Sequence, residues 1–131
     1  MIEIAARLGG TCLPELTSLY SGMDVIELAI DLAMGKPVSL ARPFREQPCA
    51  AKLIRAPQTG ILKQAQFPVE LLEDPRIVGI RWDRKPGDWV QAFKTGPDRI
   101  GEIVVIGETH REAEKLCDEI ERQLDIRIEA S

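Results

Sequence analysis

Histidine is nearly missing from this chain of 131 residues: His110 is the only one, so a Ser-His-Asp or Cys-His arrangement would have to be built on that single side chain. Cysteine is sparse as well. Cys12, Cys49 and Cys117 are odd in number and widely spaced, with no C-x-x-C pair, which argues against a disulfide framework or a zinc knuckle and for a reducing, cytoplasmic setting. Positive charge is in deficit, with 17 Lys and Arg against 21 Asp and Glu, a formal net charge of −4. With a pI near 5.1 there is no basic field to hold nucleic acid or anionic lipid. A long apolar run is absent too: DVIELAIDLAM is too short to span a bilayer and carries three carboxylates. No secretory n-region or h-region, low-complexity linker or internal repeat is found.

What is present suits one globular domain. The length can bury a single core, and 44% hydrophobic with 29% charged residues are ordinary values. Ile2 and Ile4 alternating with Glu3 predict a short strand in IEIAAR, broken by Gly9 and Gly10. PELTSLY then turns helical, with Pro14 in the first turn, where its missing N–H costs little. Ser21 and Asp24 form an S-x-x-D start signal for a second helix. Val25, Leu28, Ala29 and Leu32 make one apolar face of it and Ile26, Ile30 and Ala33 another, which predicts a helix buried on most sides. Gly35 and Pro37 end it.

The middle of the chain reads as short strands, CAAKLIRA and GILKQA around a PQTG turn, then RIVGIRW and DWVQAF around DRKPGD. A helical turn, FPVELLEDP, lies between the two pairs. The last forty residues are the most regular: a strand IGEIVVIG, a Thr109–Glu112 capping box, a helix with the stripe Ala113, Leu116, Cys117, Ile120 and Leu124, and a final strand DIRIE. The expected class is α+β, helices packed on a mostly antiparallel sheet in a domain rich in hairpins.

Four features could carry chemistry. Glu3 and Arg7 share a face if residues 2–7 are extended; a carboxylate suits Mg²⁺ and a guanidinium fork suits phosphate or carboxylate, but a surface ion pair needs the same two residues. RLGGT lets backbone N–H groups approach an anion, yet lacks the GxGxxG or Walker spacing, and a strand-to-helix turn uses glycine anyway. Asp98 and Arg99 read as a turn-forming Pro-Asp followed by an exposed arginine, and His110 as a surface residue in the first turn of the last helix.

Taken together, EIAARLGG, YSGMDV and a helix ending AMGKP resemble the end of the catalytic region of ATP-grasp enzymes, the superfamily of biotin carboxylase, carbamoyl-phosphate synthetase and many carboxylate–amine ligases. PQTGILKQ, KPGDWV and DRIGEIVVIGETHREAEKLCDEI are similar to the biotin-carboxylase-like C-terminal domain that follows there. The resemblance implies that residues 1–37 close an ATP-grasp region and residues 38–131 form the C-terminal-like domain, packed as one globule. It implies that Glu3 ligates Mg²⁺ on the ATP phosphates, that Arg7 is the catalytic contact to the acyl phosphate or carboxylate, and that Gly9, Gly10 and Thr11 shape the substrate loop. Ala5 stands where those enzymes commonly carry a metal-binding asparagine, so metal binding is expected to be weaker or differently completed. The glycine-rich lid, the phosphate lysine and the other metal carboxylate precede this stretch in the family, so the chain is expected to need an N-terminal ATP-grasp portion or subunit. Alone it is expected neither to bind Mg-ATP tightly nor to turn over. The alternative is a non-catalytic module of the same descent, for dimerisation or small-molecule binding, and a homodimer is expected by the same resemblance.

Overall fold

Strand β5, Arg99–Ile106, organises the fold, because Ile100, Ile103 and Val105 on it are fully buried and strands pair with it on both sides. The computed structural model describes residues 7–39 and 45–130. In chain order these form α1 (Leu13–Ser21), α2 (Val25–Ala33), β1 (Cys49–Arg55), β2 (Gly60–Gln66), β3 (Ile77–Trp82), β4 (Trp89–Val90), β5, α3 (His110–Glu121) and β6 (Asp125–Ala130). The architecture is α+β, with two antiparallel sheets ordered β1-β5-β3 and β4-β2-β6. Of the expected strand over residues 2–7, residues 2–6 lie outside the described residues and Arg7 is in a bend.

The strands expected from the sequence form, but not as hairpins. β1 and β2 lie in different sheets, so the PQTG turn carries the chain from one to the other, and Gln58 Nε2 pins that turn to the Ile128 carbonyl at 2.8 Å. β3 and β4 are likewise split between sheets, and β4 is only Trp89–Val90. Irregularities at Ile54/Arg55, Leu62/Gln64 and Ile77/Gly79 interrupt the register within their ladders and bend the strands locally. At the crossing of β5 and β3, a Cβ on Gly101 would lie 2.3 Å from the Arg81 carbonyl oxygen, so only glycine permits that approach.

The core lies between the two sheets and α3. Ile54, Leu62, Ile100, Ile103 and Ile120 are its largest fully buried members, each contributing roughly 1.5–3 kcal/mol on burial. Helix α3 starts as its sequence predicts: Thr109 Oγ1 accepts from the Glu112 N–H at 3.1 Å. The Glu112 carboxylate reaches one residue further back than a capping box requires, accepting from the Glu108 N–H at 3.0 Å. Lys52 on β1 ties α3 to its sheet through Asp118 at 2.5 Å and Glu121 at 2.6 Å.

Helix α1 packs on β1 of the first sheet, and α2 packs on α1. α1 ends on Gly22 in the left-handed conformation, whose N–H donates to the Ser18 carbonyl. The start of α2 differs from the expected S-x-x-D box. Asp24 is itself the N-cap, accepting from the Ile26 and Glu27 N–H groups at 3.0 and 2.9 Å, while Ser21 is buried at the end of α1. Nor is α2 buried on most sides. None of its residues is buried, and Ile30, Leu32 and the C-cap Met34 are 57%, 60% and 70% exposed. Two apolar faces on a helix require two partners, and the main packing that the described chain supplies is against α1.

Candidate functional site

The candidate loop is short and outward-facing. Arg7, Leu8, Gly9, Gly10 and Thr11 are all exposed, and the chain becomes buried only at Cys12, the N-cap of α1. Arg7 turns its guanidinium back on the loop, Nη1 donating to the Leu8 carbonyl at 3.1 Å. Glu3 and Ala5 lie outside the described residues. Arg7, Gly9, Gly10 and Thr11 therefore share one turn, whereas the Glu3–Arg7 face has no described geometry.

The glycines are not where the backbone demands them. The left-handed residue of the turn is Thr11, with φ of 59°, rather than Gly9 or Gly10. A Cβ on Gly10 would meet nothing within 4 Å, and one on Gly9 would press on the Leu13 side chain, 2.9 Å from its Cδ1 and 3.1 Å from its Cβ. What Gly10 leaves is open space beside the backbone. Below it an open cavity of about 290 Å³ runs between α1 and β1, lined by Gly10, Thr11, Cys12, Leu13, Leu16, Ala51 and Leu53.

Beneath the loop lies a charged cluster that sequence reasoning missed. Glu102, 5% exposed, faces α1 from the middle of β5. Its Oε1 pairs with Arg81 Nη2 at 2.8 Å, and its Oε2 lies 3.8 Å from Arg99 Nε and accepts from Cys12 Sγ at 3.3 Å. Arg99 also holds Asp83, Nε to Oδ2 at 2.6 Å. Burial first, then the hydrogen bond to Glu102, push the Cys12 thiol up to about 12, so it stays a protonated donor. The available signal was a lone carboxylate inside the apolar run IGEIVVIG.

The remaining candidates fall out differently. Arg99 is partly buried and paired, not the exposed arginine expected, because Asp98 closes the preceding turn by accepting from the Thr95 N–H at 2.9 Å and so points the strand inward. His110 is exposed, its ring 5.9 Å from that of Tyr20, as expected of a surface residue. A second open cavity, of about 390 Å³, lies between α1 and the β3–β5 edge, with Glu15, Leu19, Ile26, Val78, Arg81 and Glu102 among its walls. Among the described residues no three His, Cys, Asp or Glu side chains converge as a metal site, and no helix is long and apolar enough to cross a membrane.

Comparison with known proteins agrees with this architecture. A family model described as L-amino acid ligase C-terminal domain 2 matches residues 52–129. Among solved structures, phosphoribosylglycinamide synthetase from Anaerococcus prevotii is similar over 94% of this chain and 32% of its own, at 25% identity and a TM-score of 0.78. L-amino acid ligase from Bacillus licheniformis is similar over 98% of this chain and 32% of its own, at 16% identity and a TM-score of 0.80. The biotin carboxylase domain of 2-oxoglutarate carboxylase from Hydrogenobacter thermophilus, a dimer in complex with MgADP, ADP and bicarbonate, is similar over 97% of this chain and 28% of its own, at 15% identity and a TM-score of 0.71. No curated protein sequence matches the chain. The chain thus spans about a third of the length of the structures it resembles.

Proposed function

The chain belongs to the L-amino acid ligase C-terminal domain 2 family and resembles the C-terminal part of ATP-grasp enzymes, and from this we propose that it serves as the C-terminal piece or subunit of an ATP-grasp ligase. In this reading residues 1–37 close the catalytic region and residues 38–131 are the domain that supports it. The complete enzyme activates a carboxylate, an amino acid by the family's name, with Mg-ATP. A carboxylate oxygen bonds to the γ-phosphorus as ADP leaves; an amine nitrogen then bonds to the acyl carbon, loses a proton and displaces phosphate.

The observation that carries the proposal is that the Arg7–Thr11 loop and the apolar residues Ile30, Leu32 and Met34 of α2 are both left exposed. A surface of that kind is completed by more protein, and the relatives are about three times longer. In the assembled site Arg7 would turn from the Leu8 carbonyl to the carboxylate or acyl phosphate, which its fork matches. Gly10 would leave room for the substrate to approach the backbone, and Thr11 would close the loop. Mg²⁺, when bound, supplies charge neutralisation on the transferring phosphoryl oxygens. A hard oxygen donor at Glu3 fits that ion, and with no described carboxylate cluster the remaining ligands would come from the N-terminal portion. The same α2 face gives the second reading its support: a non-catalytic module of this descent, pairing as a homodimer. The free thiols suit a cytoplasmic setting in either case.

The deciding experiment has two arms. Isothermal titration of Mg-ATP into the chain alone is expected to show no micromolar binding; such binding would overturn its incompleteness. With the N-terminal portion supplied, Mg-ATP-dependent phosphate release with L-amino acids is expected, and Arg7→Ala should lower kcat/KM by about 10²–10³-fold with an unchanged thermal melt. Unchanged activity removes Arg7 from the site.

A further inference from the structure

We propose that Glu102 is a positioning residue for the Arg7–Thr11 loop, acting through Cys12 and held in place by Arg81 and Arg99. The inference rests on the reading that this loop faces substrate.

Thr11 is β-branched and left-handed, a conformation that lasts only where its surroundings impose it. The imposing neighbour is the next residue. Cys12 is 3% exposed, and its carbonyl accepts from the Leu16 N–H at 2.9 Å, so it begins α1. Its thiol, protonated throughout the physiological range, is the contact that fixes it sideways to the sheet, at Glu102 Oε2. The Leu13 N–H meanwhile reaches back to the Gly10 carbonyl at 3.4 Å, closing the turn over this anchor.

Glu102 is a costly choice of anchor. A buried carboxylate must be paired, and a well-packed apolar side chain often serves stability as well or better. Here two guanidinium groups and two carboxylates, Arg81, Arg99, Asp83 and Glu102, form a neutral group whose only described reach toward α1 is the Cys12 thiol. Arg81 stands opposite Glu102 in the β3–β5 register, so both strands fix the carboxylate's height under the helix. The arrangement transmits the position of the rigid sheet to the start of the loop, which explains a charge that the strand itself does not need.

The test uses backbone ¹⁵N relaxation of the 131-residue chain and steady-state kinetics of the assembled ligase. In the unaltered chain Gly10–Cys12 should show order parameters near ~0.85, falling below ~0.6 in Cys12→Ala and in Glu102→Gln, with β2, β6 and α3 unchanged. Cys12→Ser, which keeps a donor, should restore the higher value. In the assembled enzyme Cys12→Ala should raise KM for the carboxylate substrate about tenfold with a smaller change in kcat. A loop already mobile in the unaltered chain, or one equally rigid in Cys12→Ala, overturns the proposal; should Glu102→Gln fail to fold, Cys12→Ala decides alone. If the unaltered assembly shows no ligation, the ligase reading falls, while the relaxation data still judge the anchor.

Discussion

Two glycines separate space kept for contact from space required by packing. At Gly101 a methyl group would press on the Arg81 backbone oxygen across the sheet; at Gly10 it would enter open space. Gly101→Ala should therefore lose about 1–3 kcal/mol in urea unfolding, while Gly10→Ala stays within about 0.5 kcal/mol. The RLGGT turn was legible in the sequence, but its left-handed residue was not. Propensity assigns that role to glycine, and tertiary anchoring at Cys12 gives it to Thr11. Thiols supply a pH signature at the same scale. Burial raises Cys12 from 9.0 to about 12 and Cys117 from 9.0 to about 11. The unfolded chain therefore releases these protons first. The stability tied to the neutral thiols is complete below pH 9.0 and is lost as pH rises toward those values. Urea midpoints should fall between pH 8.5 and 10.5, and the fall should be shallower in a Cys12→Ala, Cys117→Ala double variant; equal slopes would reject the assignment.

Among the elements, α2 carries the most consequence. Its capping by Asp24 is local chemistry, and Asp24→Ala should cost about 1 kcal/mol. Its burial is not local: the apolar periodicity was readable, but whether the chain itself covers that face was not, and Ile30, Leu32 and Met34 are left exposed. Ile30→Lys with Met34→Lys should leave the urea midpoint of the isolated chain unchanged and weaken association with the N-terminal portion at least tenfold, read by titration calorimetry. A large loss of stability would show that α2 packs on its own chain. Helix α3, by contrast, was legible from cap to stripe, since its cap and its four buried positions all lie within one short segment.

For the whole molecule, element existence was readable and pairing was not. PQTG and DRKPGD have the composition of hairpin turns, yet each carries the chain between sheets. Turn residues specify a reversal, whereas the partner is chosen by which apolar faces meet in the core, and Ile54 and Leu62 reach that core from different sheets. No pair of strands consecutive in the chain is hydrogen-bonded to each other among the described residues. Every ladder therefore closes a loop containing at least one other strand, and refolding is expected in the millisecond-to-second range, where non-local pairing places small β-rich domains. Stopped-flow refolding completed within about a hundred microseconds would contradict this topology.

The same strand order sets a schedule for biosynthesis. β1 and β3 both wait for β5, which ends at Ile106, and the long ladder of β2 waits for β6 at Asp125–Ala130. A ribosome adding roughly 5–20 residues per second therefore exposes several unpaired, apolar strands for seconds before their partners emerge. Slowing elongation ahead of β5 should therefore lengthen the exposure of the nascent chain to aggregation.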